Sequence, residues 1–194
     1  MDFQAARMFR HLNVFWFGLV FAAAATFLIY PELLEREALA DFVVRFGPEA
    51  FVVYVLICLT RSLLLIPSTP FIFAGALAFP DWPLAVLAAS MAGVLSGSLL
   101  IYSFPGIGGY DERLKARYPK QIAYIRERMQ GAGAWWVTMG WSAFPLVPTD
   151  LICYVAGLAR MPPLKMAAAV QIGSFPLMAV YVFTGAELGA ILLN

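Results

Sequence analysis

Histidine is almost missing from this chain of 194 residues, and cysteine and charge are scarce: one His, two Cys, and 13% Asp, Glu, Lys and Arg. The one imidazole, His11, stands in the N-terminal tail, so general acid–base work and metal ligation elsewhere lack their commonest side chain. Cys58 and Cys153 both lie in apolar runs, where a thiol acts as a small hydrophobe; neither a disulfide framework nor a thiolate metal site is indicated. There is no phosphate loop, no nucleophile motif and no close acidic pair, and a lipid phosphatase would lack its usual His and Asp setting. The chain is therefore read as no enzyme, with no cofactor and no metal. A net charge of +1 offers no basic face for nucleic acid.

What is abundant is apolar. The composition is 62% hydrophobic and the mean hydropathy +0.79, against roughly 45–50% apolar residues in a soluble domain. An all-α integral membrane protein is expected. Residues 1–30 read as an N-terminal signal-anchor helix: Arg7, Arg10 and His11 precede an apolar run from Val14 to Tyr30, longer than the about 7–15 residues of a cleaved signal core. Residues 31–49 carry five acids against two bases, with Leu33, Leu34, Ala38, Phe42 and Phe46 at helical spacing, and read as an amphipathic interfacial helix.

Two later stretches share an unusual pattern, an apolar run of membrane length broken at its middle by proline. In 62–79 the break is Pro67-Ser68-Thr69-Pro70, and in 142–159 it is Pro145-Leu146-Val147-Pro148-Thr149-Asp150. Each proline removes a backbone donor and clashes with the carbonyl four residues back, so these are not plain crossings. A Pro-containing turn follows each, then a full span with a central glycine: Leu84 to Phe104 with Gly93 and Gly97, and Leu164 to Thr184 with Gly173. Pro67 to Gly93 is 26 residues and Pro148 to Gly173 is 25, so an internal repeat is expected. Residues 50–104 form repeat 1 and 134–194 repeat 2, separated by a basic cytoplasmic loop over 105–133.

Charge placement orients the chain. With Arg7 and Arg10 inside, the acidic segment lies outside, and the six bases between Arg113 and Arg128 return to the cytoplasm. Charge alone admits either re-entrant hairpins or paired crossings at the broken stretches. Phe71 to Phe79 and Leu151 to Ala159 are too short to span, which favours two re-entrant hairpins entering from opposite faces. The expected fold is then an inverted-topology repeat with about three full transmembrane helices.

Backbone freed by proline cannot face lipid, so the turns are expected to line a polar notch near the midplane. Its candidate lining is Arg61, Ser62, Pro67, Ser68, Thr69, Pro70, Ser142, Pro145, Pro148, Thr149 and Asp150. A charge at the bilayer centre costs at least about 2.5–3.5 kcal/mol, which singles out Arg61 and Asp150. Each has a plain alternative: Arg61 snorkels to the interface, and Asp150 caps the helix that starts at Leu151. Gly75, Gly93, Gly97, Gly157 and Gly173 are candidate helix-packing positions, and glycine pairs of this kind also serve self-association.

The residues Arg61-x5-Pro67-x2-Pro70 with Ala74-Gly75, and Pro145-x2-Pro148-Thr149-Asp150-x3-Tyr154-x-Ala156-Gly157, resemble the DedA superfamily, also called the VTT-domain or SNARE-associated Golgi protein family, over roughly 51–185. The resemblance implies re-entrant hairpins in an inverted repeat and movement of phospholipid or polyprenyl-phosphate headgroups between leaflets. One bacterial branch has an acid where Thr69 stands and arginines where Ser142 and Pro148 stand. Those departures weigh against proton coupling and a polyprenyl-phosphate substrate, and leave Arg61 as the headgroup arginine. Membrane lipids are the expected partners. A small-solute or ion transporter and a non-transporting assembly protein are the alternatives. Alanine-rich composition with Arg exceeding Lys points to a bacterial cytoplasmic membrane.

Overall fold

The computed structural model describes residues 29–30, 36–64, 66–145 and 147–192. The expected anchor helix falls almost wholly outside them. Among the described residues every regular element is helical: α1 (Arg36–Val44), α2 (Ala50–Thr60), α3 (Thr69–Ala78), α4 (Pro83–Ser103), α5 (Tyr110–Arg117), α6 (Pro119–Gln130), α7 (Ala134–Ala143), α8 (Thr149–Leu158) and α9 (Pro163–Leu192). Short 3-10 turns lie at Gly47–Glu49, Arg61–Leu64 and Phe104–Gly109. Proline sets many boundaries. Pro83, Pro119 and Pro163 occupy the first position of their helices, where the missing N–H has no partner to lose.

This is an integral membrane protein, with three helical runs long and apolar enough to cross a bilayer: Gly47–Leu64, Pro83–Gly106 and Pro163–Leu188. The first of these differs from expectation, which made it only a hairpin arm. The 3-10 turn at Arg61–Leu64 continues α2 past its charged residue and lengthens the run to 18 residues. The expected basic loop is also different: its polar stretch folds into α5 and α6. Pro119 starts α6, and Ile122 and Met129, seven apart, are buried while most of its charges point outward.

The described chain falls into two compact units. One comprises the described residues up to Gly97 together with those from Ser174 on, the other Ser98–Gly173. Both boundaries fall inside long helices, α4 and α9.

In the unit built on α2, α3 and the first part of α4, small residues set the packing. Tyr54 is 1% exposed, and its hydroxyl shares a 2.8 Å hydrogen bond with Ser90. A Cβ on Gly93 would lie 2.5 Å from the Cys58 carbonyl oxygen, and one on Gly97 would collide with the Ser62 hydroxyl. The pairs 54–90, 58–93 and 62–97 advance together, so α2 and α4 run parallel. Tyr54 against Gly75 and Phe51 against Phe79 advance oppositely, so α3 runs back along α2 as the second arm of a hairpin. Leu39 and Ala40 of α1 pack on Ala74, Leu77 and Ala78 of α3. That is not the face picked out by the periodicity: Ala38, Phe42 and Phe46 are exposed, and Leu33 and Leu34 lie outside the described residues. Helix α1 thus has two apolar faces, one holding it to the protein and one left for an apolar surround.

In the other unit α7 and α8 make the second hairpin. The Thr138 hydroxyl points to the Met161 sulfur at 3.9 Å, while Trp141 reaches Pro148, so these arms also run oppositely. A Cβ on Gly157 would strike the Tyr102 carbonyl of α4, and one on Gly173 the Met139 carbonyl of α7. Helix α8 ends in a Schellman turn, with Met161 N–H bonding Ala156 O at 3.0 Å, Arg160 N–H bonding Gly157 O at 3.0 Å, and Arg160 at φ 57°. Arg126 Nε and Gln130 Nε2 of α6 donate to the Leu158 and Ala159 carbonyls at 3.4 and 3.2 Å. The last carbonyls of α8 therefore have partners.

Candidate transport site at two proline breaks

Each break is built the same way: an arm ends, a donor on its last turn reaches forward, and proline restarts the chain. In the first, the Arg61 guanidinium donates through Nη1 to the Ile66 carbonyl at 2.9 Å. Ile66 precedes Pro67, and a pre-proline residue is held out of the helical region, so its carbonyl has no helical partner to accept from. Pro67 is exposed, Ser68 half-buried, Thr69 exposed and Pro70 half-buried. Ser68 holds the N-cap place of α3 without a capping side-chain bond, although its carbonyl receives the Ile72 N–H at 3.1 Å.

In the second break Phe144 turns extended, φ −92° and ψ 122°, as its place before Pro145 requires. Pro145 and Pro148 are exposed, Thr149 is half-buried and Asp150 exposed. The Trp141 indole N–H donates to the Pro148 carbonyl at 3.1 Å, and the Leu151 N–H bonds the same oxygen at 3.2 Å. Pro148, in extended conformation, is the N-cap of α8, with no side-chain capping bond there. Asp150 lies inside the first turn instead, where its negative charge complements the helix dipole.

Ser62 and Ser142 are buried rather than open at the breaks. Ser62 faces the Gly97 position, and Ser142 donates to Thr138 O at 2.9 Å with its Cβ beside Gly173. Gly75 meets the Tyr54 ring, which leaves no room for a side chain there. The residue that sequence reasoning passed over is Trp141. It stands 80 positions after Arg61 (141 − 61), the same separation as Ser62 to Ser142, Thr69 to Thr149 and Gly93 to Gly173. That register, applied to Arg61, points to Trp141 as the second break's donor.

Exposed apolar side chains flank both breaks. Leu63 is 47% exposed beside the first, and Phe144 and Leu151 are 55% and 50% exposed beside the second. The polar groups of each turn thus lie at an apolar outer face. No group of three or more potential metal ligands occurs among the described residues.

A family model for the VTT domain matches residues 66–187. The chain belongs to the VTT-domain family. The VTT match opens at Ile66, whose carbonyl Arg61 holds, and runs through both breaks to the second half of α9. Arg61 itself precedes the matched stretch. No curated protein and no solved structure matches the chain.

Proposed function

We propose that this VTT-domain protein moves lipid headgroups between leaflets, the polar turns at the two breaks being the groups a headgroup meets on its way. VTT membership supports a transporter-like membrane role. The observation that carries the lipid reading is the company the breaks keep: Pro67, Thr69, Pro148 and Asp150 are exposed next to exposed Leu63, Phe144 and Leu151. A solute path is walled off from lipid, whereas a headgroup path has to admit acyl chains at its side. Polar turns bordered by exposed apolar side chains fit the second requirement.

Arg61 is the phosphate partner in this reading. Its guanidinium is planar, positively charged and carries five N–H donors, one of which bonds the Ile66 carbonyl and so fixes the direction of the group. Asp150 engages a headgroup amine, and Ser68, Thr69 and Thr149 supply hydroxyls. The membrane is read as a bacterial cytoplasmic membrane with the N-terminus inside. Each hairpin is taken to return to the face it enters from, a reading supported by the one cavity that Gly47, Phe51, Phe79 and Trp82 line and by the Gln130 bond to Ala159.

The test is leaflet exchange of fluorescent phospholipid in proteoliposomes. Wild type is expected to exceed empty liposomes, and Arg61→Ala to slow exchange by about tenfold or more, the value of a hydrogen bond to a charged group. Asp150→Asn should slow lipids carrying an amine more than phosphatidylglycerol. Exchange no faster than in empty liposomes would remove the lipid reading.

A further inference from the structure

The base of the first hairpin holds a cavity of about 340 Å³ between the 3-10 turn at Gly47–Glu49 and the turn after α3. Its walls include Phe51, Phe79, Trp82, Pro48 and Pro80, and its one charged lining residue is Asp81. The aromatic rings fix one another: Phe51 lies edge-on to Phe79 at 5.3 Å and to Trp82 at 5.6 Å between centroids, and Phe79 and Trp82 are near-parallel at 6.5 Å. Gly47, at φ 57°, makes the turn that brings Pro48 and Phe51 to this wall. Trp82 is 57% exposed, so the cavity opens outward. Among the described residues the Asp81 side chain has no hydrogen-bond or ion-pair partner.

We propose that this cavity binds an organic ammonium group, with a quaternary one preferred. Ring faces attract a cation through their quadrupole, and a single carboxylate adds net charge without the several acceptors that a primary ammonium needs. The volume is in the range of small-ligand sites, about 300–1,000 Å³. The bases of the two hairpins differ here. At the second, Arg126 and Gln130 reach the carbonyls that end α8, whereas the first is left with aromatic faces and an acid. A phospholipid headgroup and a free quaternary ammonium such as choline share this chemistry. The site is separate from the proline breaks and does not depend on leaflet exchange.

Binding of tritiated choline and, separately, of dihexanoylphosphatidylcholine to the full chain purified in dodecyl maltoside tests the proposal. Saturable binding is expected, displaced by tetramethylammonium and not by 3,3-dimethylbutanol, the neutral isostere of choline. Asp81→Asn and Trp82→Leu should each weaken it by roughly threefold to thirtyfold, and Trp82→Phe should recover most of the loss. Both positions are exposed, and an unchanged size-exclusion profile for each variant shows that the fold is kept. Binding of the phospholipid alone assigns the lipid headgroup as ligand, and binding of choline alone assigns a free quaternary ammonium. Absence of saturable binding for both, equal displacement by the isostere, or unchanged affinity in Asp81→Asn overturns the proposal. Leaflet exchange can succeed or fail independently of each outcome.

Discussion

The two hairpins solve one problem with different chemistry. In each, a side chain near the end of the first arm, Arg61 or Trp141, donates to a carbonyl of the break, and the two donors stand 80 positions apart. An arginine supplies that bond from a positively charged group, while a tryptophan supplies it from a neutral ring with a single donor. The first hairpin thus closes its break with a charge and the second does not. The charge of the second comes from Asp150, in the first turn of α8. The arms differ too. The first hairpin pairs an 18-residue run with a ten-residue helix, whereas both arms of the second are ten residues, about 15 Å each. That is half of a roughly 30 Å hydrocarbon core. A short-armed hairpin depends wholly on neighbouring protein for its depth, and its glycine contacts should matter more.

The largest expected effect tests that dependence. Gly157→Val puts a branched side chain into the Tyr102 backbone, which cannot swing aside, and should cost about 3 kcal/mol or more by overpacking. Gly93→Ala, against the Cys58 carbonyl in the first hairpin, should cost about 1–3 kcal/mol. Both are read from unfolding midpoints in mild detergent titrated with dodecyl sulfate. Gly140→Ala, also in a hairpin arm but with nothing within 4 Å of its added Cβ, should instead stabilise by about 0.5–1 kcal/mol. A loss at Gly140 matching that at Gly93 would mean that helix approach is not what these glycines provide.

Next come the two donors. Arg61→Leu takes the guanidinium donor from the Ile66 carbonyl and should cost about 1–3 kcal/mol, whereas Trp141→Phe, whose acceptor still receives the Leu151 N–H, should cost about 1 kcal/mol. Exchange assays then separate them: Trp141→Phe loses stability with little change in headgroup preference, and Arg61→Leu loses both. Equal loss of preference in the two variants would show that the arginine acts only as a strut. A smaller difference concerns the arms themselves. Tyr54→Phe removes the bond to Ser90, at a cost of about 1 kcal/mol, while keeping the ring on Gly75. Thr138→Val, whose hydroxyl bonds Ala134 O within its own helix at 2.8 Å, should change thermal stability by less than about 0.5 kcal/mol. The smallest effect is a gain. Arg160→Gly relieves the left-handed backbone that ends α8 and should raise stability by up to about 1 kcal/mol, read from the same unfolding midpoints.

Much of this architecture is written locally. Hydrophobicity over some twenty residues selects lipid as solvent, and proline selects where helices start and stop, because both act through each residue's own solvation and backbone. The long helices at Pro83–Ser103 and Pro163–Leu192 and the breaks around Pro67 and Pro148 are legible for that reason. Shorter-range errors have equally local causes. The ten-residue arms start at Thr69 and Thr149, two residues before the purely apolar stretches, because a hydroxyl residue is no barrier to the first turn of a helix.

What the linear pattern could not convey is which partner a side chain meets. Ser62 and Ser142 read as polar lining because they are hydroxyls near a break, yet both are buried beside glycines of later helices. Trp141 is passed over in the linear pattern, and its donation to Pro148 depends on the angle at which the second arm returns. The face that α1 turns to the protein, Leu39 and Ala40 rather than Phe42 and Phe46, is likewise set by the small residues of α3 that receive it. Sequence by itself determined the membrane, the helices and the two breaks, through transfer free energy and backbone sterics. Only the tertiary structure decided that Arg61 and Trp141 each donate to a carbonyl of their own break and that Phe51, Phe79, Trp82 and Asp81 share a cavity, since such contacts depend on how the segments are brought together.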